Sequence, residues 1–231
     1  FCIDIFKEKY NLDVNKKYDF ENIYILKSLK KLYGINNGVE QNYQFVFLDE
    51  YQNYSSFEIN TLLDAFPKVK LNMFGDINQA LEEKGIKTFD ELNLQFSKVF
   101  ELKQNYRNAN EITMYVNDRL NMNILPVGVK GVVKEIDSLS SVEMNGTTAI
   151  VYKEEKSVLP IINKYSKIIN FVPNSLEINL QKINVLPVNL VKGLEFNTVY
   201  VIEDDMDKNE KYVAYTRALR NLYIKVCKNL D

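Results

Sequence analysis

Four apolar residues run directly into two carboxylates and an amide in FVFLDEYQNY, residues 45–54. A carboxylate at the carboxyl end of a buried parallel strand lies at the edge where open α/β sheets bind ligands. In phosphoryl-transfer sites an Asp at that place holds Mg²⁺, directly or through water, and a neighbouring acid positions the attacking water. Asp49 and Glu50 are therefore candidates for the cleavage of a phosphate anhydride. Taken alone, the pair reads first as an ordinary solvated strand end, and VYVIEDD at 199–205, which has a similar look, reads as structural.

Four further stretches carry residue types suited to the same chemistry. In MFGDINQA, residues 73–80, Gly75 permits a tight turn and Gln79 offers an amide that both donates and accepts. LKQNYRNANEI, residues 102–112, presents the flat ring of Tyr106 beside the planar guanidinium of Arg107. VKGLEFNTVYV, residues 191–201, places Lys192, a Gly193 turn and Glu195 ahead of a strand. YVAYTRALRNLYI, residues 212–224, puts Arg217 on a helix before a last strand. Each of Arg107, Lys192 and Arg217 on its own reads as a solvated surface charge.

Order and spacing change that reading. DEYQN, GDINQ, QNYR, KGLEF and YTRA resemble motifs II to VI of superfamily 1 helicases of the UvrD/Rep class, over nearly the whole chain from about residue 20 to residue 226. LDEYQNYSSFE, the lead Pro187-Val188-Asn189-Leu190 and the upstream LKKLYG resemble HelD-like members most. The resemblance implies two RecA-like parallel-sheet units of the P-loop NTPase type, the first incomplete, with ATP and Mg²⁺ held between them. It implies that Asp49 binds Mg²⁺, that Glu50 orients or deprotonates water, and that Gln79 senses the γ-phosphate. Gln52 would belong to the ATP site, Tyr106 would stack on adenine, Arg107 and Arg217 would grip the γ-phosphate, and Glu195 would reach the nucleotide edge. Asn189, Lys192 and Gly193 would lie along the nucleic acid. The implied activity is that of the C-terminal portion of an ATP-dependent DNA helicase or translocase, acting on single-stranded or duplex DNA. A HelD-like remodelling ATPase acting on RNA polymerase and a degenerate, non-hydrolysing interaction module are the alternatives. No G-x-x-x-x-G-K-[ST] occurs in the sequence, so the 231 residues alone are expected to hydrolyse nothing. Asn53, Asn197 and Asn189 depart from the Asp, Asp and His that many relatives carry.

The elements that must position these residues follow from periodicity. FENIYILKSLKKLY at 20–33 repeats its apolar residues near a helical period and stops at Gly34. YQFVFLDE, KVKLNMFGD and KVFELKQN read as three strands. Ser55 or Ser56 caps a helix through FEINTLLDAF that Pro67 ends, and ANEITMYVNDRL reads as a further helix. Short strands bracketed by Pro126, Gly128, Gly131 and Gly146 occupy 125–149. Beyond them TTAIVYK, SKIINFV, INVLPVNL, FNTVYVIED and NLYIKVC read as strands, with SVLPIINKYS a Pro-interrupted helix and KNEKYVAYTRALR a helix. Short apolar strands alternating with helices predict an α/β protein on parallel sheet. The boundary is set near residue 100, giving 1–100 with motifs II and III and 101–231 with motifs IV to VI.

Composition excludes several classes. Hydrophobic residues make up 46% and charged residues 26%, the balance of a folded domain. The chain has no His and two isolated cysteines, Cys2 and Cys227, which excludes zinc sites and His-based triads and matches a reducing, cytoplasmic setting. A net charge of −2 restricts nucleic-acid contact to a local groove. No apolar run approaches the roughly 20 residues of a membrane span, so no membrane partner is expected. FCIDIFKEKYNLD has no cleavage pattern and no initiator Met, and the chain is expected to be part of a longer protein.

Overall fold

The computed structural model describes residues 43–66, 68–81, 85–92, 94, 98–139, 142, 147–174 and 177–226. The helix expected at 20–33 lies outside them. Two units make up the chain, Phe1–Gln95 and Phe96–Asp231.

In the first unit, strand β1 (Phe45–Leu48) pairs in parallel with β2 (Lys70–Met73), from Phe45 opposite Lys70 to Leu48 opposite Met73. Helix α1 (Ser56–Ala65) joins them. Ser55 is its cap: the hydroxyl accepts from the Glu58 amide, and the Glu58 carboxylate accepts from the Ser55 amide, a reciprocal box that satisfies two helix-end donors. The helix stops ahead of Pro67, which disfavours helical backbone in the residue before it. Among the described residues, Tyr51, Ile59, Ile86 and Leu92 form a buried hydrophobic cluster in this unit.

Beyond the strands the parallel ladder continues into the two loops. Phe74 N donates to the Leu48 carbonyl at 2.8 Å, and Tyr51 N donates to the Phe74 carbonyl at 3.1 Å. The loop after β1 and the loop after β2 are thereby held edge to edge. A Cβ on Gly75 would fall 2.2 Å from Gln52 Oε1 and 2.8 Å from the Tyr51 ring, so this approach requires glycine.

The second unit is built on a six-stranded, all-parallel sheet. Its strands are β5 (Val132–Ile136), β6 (Thr148–Tyr152), β7 (Ile169–Phe171), β8 (Ile183–Pro187), β9 (Phe196–Ile202) and β10 (Ala218–Lys225), in the order β5-β10-β9-β6-β8-β7. A separate two-residue parallel pair joins β3 (Gln104–Asn105) to β4 (Leu125–Pro126). Every residue of β6 is buried, as the uninterrupted run TAIVY requires of a strand covered on both faces. Ile150, Ile183, Val185, Tyr200 and Ile202 form the core with Val158 and Ile161. The helices are α2 (Asn110–Leu120), α3 (Leu159–Tyr165) and α4 (Lys208–Thr216). The α/β, parallel-sheet architecture expected from the sequence is the one observed.

Three element readings are corrected. KVFELKQN yields only the two-residue β3, and Val99, Phe100 and Leu102 remain exposed, with no partner strand among the described residues. Pro160 does not interrupt α3 but stands in its first turn, where its missing N–H costs nothing. KNEKYVAYTRALR is helical only to Thr216; β10 begins at Ala218, because Phe196 N takes the Arg217 carbonyl and Ala109 N the Leu219 carbonyl.

Glu203, just past β9, is 5% exposed and binds three elements together. It accepts from the Tyr215 phenol, from Arg119 Nη2 at 2.9 Å, and lies 3.7 Å from Lys211 Nζ. Burial first, then the hydrogen bond to Glu203, hold the Tyr215 phenol well above its ordinary value. Burial, with a contribution from Glu155, pushes Tyr152 up to about 12. Both folded-state values are raised, so both phenols favour the folded state while they stay protonated. That stability is complete below the ordinary tyrosine value of 10.0 and is lost as the pH rises through the shifted values. Urea unfolding followed from about pH 8 to about pH 12 should show stability falling above pH 10. Tyr215→Phe should lower stability at neutral pH by about 1.5–3 kcal/mol, the worth of a hydrogen bond to a charged group. Gly75→Ala should cost about 1–3 kcal/mol by overpacking in the same assay.

Candidate nucleotide site

In the first unit the chemistry-bearing residues converge on the carboxyl end of β1. Asp49 and Glu50 are both exposed. Glu50 takes a left-handed conformation, φ 51° and ψ 43°, and its amide donates to Asp49 Oδ1 at 2.9 Å. A non-glycine residue held there costs on the order of 1–3 kcal/mol and persists only where its surroundings enforce it. Here the enforcing group is Gln52. Its side chain is fully buried, its Nε2 donates to Glu50 Oε2 at 2.5 Å, and its Oε1 accepts from Asp76 N at 3.2 Å. One amide thus ties the Glu50 carboxylate to the loop that carries Gln79. The geometry puts Gln52 behind the carboxylates rather than on the surface beside them.

Gln79 closes a short 3-10 turn, Ile77–Gln79, capped by Asp76. Asp76 Oδ1 accepts from Asn78 N and Nδ2, both at 3.0 Å, and Oδ2 accepts from Gln79 Nε2 at 3.2 Å. Asp49, Glu50, Gln52 and Gln79 therefore belong to one hydrogen-bonded pair of loops. Among the described residues no group of three His, Cys, Asp or Glu side chains could hold a metal ion. Mg²⁺ takes only one or two protein carboxylates together with waters and substrate phosphates, and Asp49 and Glu50, exposed at the end of β1, are carboxylates that could serve.

In the second unit the candidates gather at the amino ends of β9 and β10, opposite the strand ends at which open sheets usually bind ligands. Glu195 immediately precedes β9 and Arg217 immediately precedes β10. Arg107 Nη1 donates to Glu195 Oε1 at 3.1 Å, joining two segments 88 residues apart in sequence. Both side chains are 42% exposed, so the pair is worth about 0–1 kcal/mol and yields readily to a stronger anion. Tyr106 is exposed beside them, and its hydroxyl bonds Gln104 Oε1.

Arg217 is different. It is 1% exposed, and its guanidinium donates to the Val213 carbonyl at 3.1 Å, the Leu194 carbonyl at 3.4 Å and Thr216 Oγ1 at 3.2 Å. It is not the solvated surface charge that it reads as in isolation. Through Leu194 it fixes the residue next to Glu195. Asn189, Lys192 and Gly193 share the connection 188–195 between β8 and β9, which buried Val188 and Val191 pin to the sheet. Gly193 has φ +78° and open space around its Cβ position, so glycine is required there by backbone conformation and not by crowding.

Sequence reading missed Asn105 and Asn108. Asn105 Oδ1 accepts from the Arg107 and Asn108 amides at 3.0 and 3.1 Å, and its Nδ2 donates to Asn108 Oδ1 at 2.9 Å and to Thr113 Oγ1 at 3.1 Å. The pattern N-x-x-N around Tyr106 and Arg107, an Asx-type turn, is the signal that could have found them.

No curated protein sequence matches the chain. Among solved structures, it resembles arterivirus nonstructural protein 10 (helicase), at 13% identity and a TM-score of 0.51, over 99% of this chain and 57% of that one. It also resembles the PRRSV helicase, at 14% identity and a TM-score of 0.50, over 77% of this chain and 34% of that one. The chain thus spans between about a third and somewhat over half of those proteins, and at such identities the likeness is one of fold. The family model of the viral superfamily 1 RNA helicase core domain matches residues 34–226. With that match running through both units and all five motif stretches, the chain belongs to the viral superfamily 1 RNA helicase core domain family.

Proposed function

We propose that this chain is the motif II to VI portion of an ATP-driven nucleic-acid helicase or translocase. The observation that carries the reading is the meeting of Arg107 with Glu195, from motif stretches far apart in sequence, at an exposed and weakly held ion pair. A pair of that kind gives up its arginine to a phosphate at little cost.

In this reading Asp49 would hold Mg²⁺, which when bound would offset phosphate charge. Glu50, kept in place by Gln52, orients the attacking water and takes its proton. Gln79 registers the γ-phosphate, Tyr106 stacks on the base, and Glu195 reaches the nucleotide edge once Arg107 turns to the phosphate. Arg107 is the arginine presented for the γ-phosphoryl group. Arg217, enclosed as it is, serves that group by bracing the Leu194–Glu195 backbone. The 1–100 and 101–231 halves are proposed to be the two RecA-like domains.

Asn189, Lys192 and Gly193 are proposed to lie along a single strand. The motifs resemble those of UvrD/Rep-class or HelD-like enzymes, with DNA proposed as the strand and RNA polymerase as the alternative partner, and the two isolated cysteines match a cytoplasmic setting. The family's description points to RNA. Among the described residues no helix is long and apolar enough to cross a membrane. Salt titrations with both kinds of strand decide between them. Because the chain carries a net charge of −2, the log–log slope should stay shallow, at about 0.9 or less per phosphate neutralised.

Steady-state ATPase assays test the chemistry. In the full-length protein, Glu50→Gln should reduce turnover by about 10²–10⁴-fold, the usual worth of a general base. Arg107→Ala should reduce it by about 10³-fold or more, as loss of an arginine finger does. The 231-residue chain alone should be inactive, since the loop that cradles phosphates is not in it. Full turnover by Arg107→Ala, or activity in the isolated chain that disappears with Glu50→Gln, would overturn this account.

A further inference from the structure

Hydrogen bonds and peptide links form a closed circuit that includes Arg107, and one buried side chain completes it. Asn108 is 1% exposed. Its Nδ2 donates to the Thr216 carbonyl at 2.8 Å and the Ala218 carbonyl at 2.7 Å, on either side of Arg217. Its Oδ1 accepts from Asn105, whose own Oδ1 holds the amides of Arg107 and Asn108. From Arg217 the circuit runs through the Leu194 carbonyl to Glu195, and from Glu195 back to Arg107. Each hydrogen of the Asn108 amide nitrogen therefore has a named acceptor, and its oxygen has a named donor.

We infer that Asn108 is a positioning residue: it seats the Tyr106–Arg107 turn on the start of β10 and so sets where the Arg107 guanidinium stands. The inference rests on the role proposed above for Arg107. An asparagine suits the task on physical grounds. Two carbonyl oxygens two residues apart need two neutral donors diverging from one atom, and the primary amide supplies them. Aspartate would set a carboxylate against both carbonyls. Serine offers one donor and a shorter reach. Arg107 itself is about half in solvent and held by one weak ion pair, so the backbone beneath it decides its position. Displacement of a catalytic group by about 1 Å costs on the order of a hundredfold in rate.

The test is ATP turnover by the full-length protein, in the Asn108→Ser, Asn108→Asp and Arg107→Ala variants and in the double variant Asn108→Ser/Arg107→Ala. Thermal unfolding of each establishes the folded fraction. Asn108→Ser should lower kcat about 10–100-fold with KM for ATP changed by less than about threefold. In the Arg107→Ala background the same change should have no further effect on kcat, because a positioning residue acts only through the group it positions. Asn108→Asp should behave as Asn108→Ser or worse; should it fail to fold, the Asn108→Ser cycle decides alone. Equal losses in both backgrounds would make Asn108 merely structural and overturn the inference, as would full kcat in Asn108→Ser. An Arg107→Ala variant with undiminished turnover overturns the proposed function first and this inference with it.

Discussion

A carbonyl buried where a helix hands over to a strand has lost water and must find a donor in the protein. In the second unit this demand is concentrated at Thr216–Ala218, where α4 ends and β10 begins. Asn108 supplies both donors. Once it does, the position of the Tyr106–Arg107 turn is no longer independent of the sheet. The Arg217 guanidinium, drawn inward to the Val213 and Leu194 carbonyls, fixes the lead into β9 in the same way. The exposed Arg107–Glu195 pair is thus the weak outer member of a strongly satisfied interior. Such an arrangement matches the role proposed for Arg107, which would leave the pair for a phosphate and return to the same place.

The first unit meets a similar demand with a similar group. Gln52, fully buried, spans from the Glu50 carboxylate to the Asp76 amide, and Gly75 leaves it room to do so. In both units an uncharged amide lies behind charged residues that face solvent. A buried charge in either place would need a partner and full hydrogen bonding to offset desolvation. An amide needs only its donor and acceptor satisfied, and each of these has named partners on both sides.

The buried carboxylate Glu203 lies at the far end of β9 from Glu195, and its partners are structural. It gathers Tyr215, Arg119 and Lys211 and so connects α2, α4 and the sheet. Two acidic strand ends with a similar look in sequence thereby separate by environment. At the end of β1 both carboxylates face solvent, whereas after β9 the first is sealed against a phenol and a guanidinium.

Much of this was legible before any coordinates. Alternation of apolar runs with helical periods determined the α/β class and most element positions, because burial on both faces of a parallel sheet imposes runs such as TAIVY and FNTVYVI. Residue types and their order marked Asp49, Glu50, Gln79, Tyr106, Arg107 and Glu195, because phosphoryl chemistry draws on few side chains. Tertiary structure alone decided which of the marked residues face solvent and which face inward. Arg217 and Gln52 carry polar side chains that nothing in their local spacing distinguishes from surface groups, yet both are enclosed. Asn105 and Asn108 went unmarked, since the carbonyls that Asn108 satisfies lie more than a hundred residues further on. A residue's type limits what it can bond, but its partner is set by which distant backbone the fold brings within about 3 Å of it.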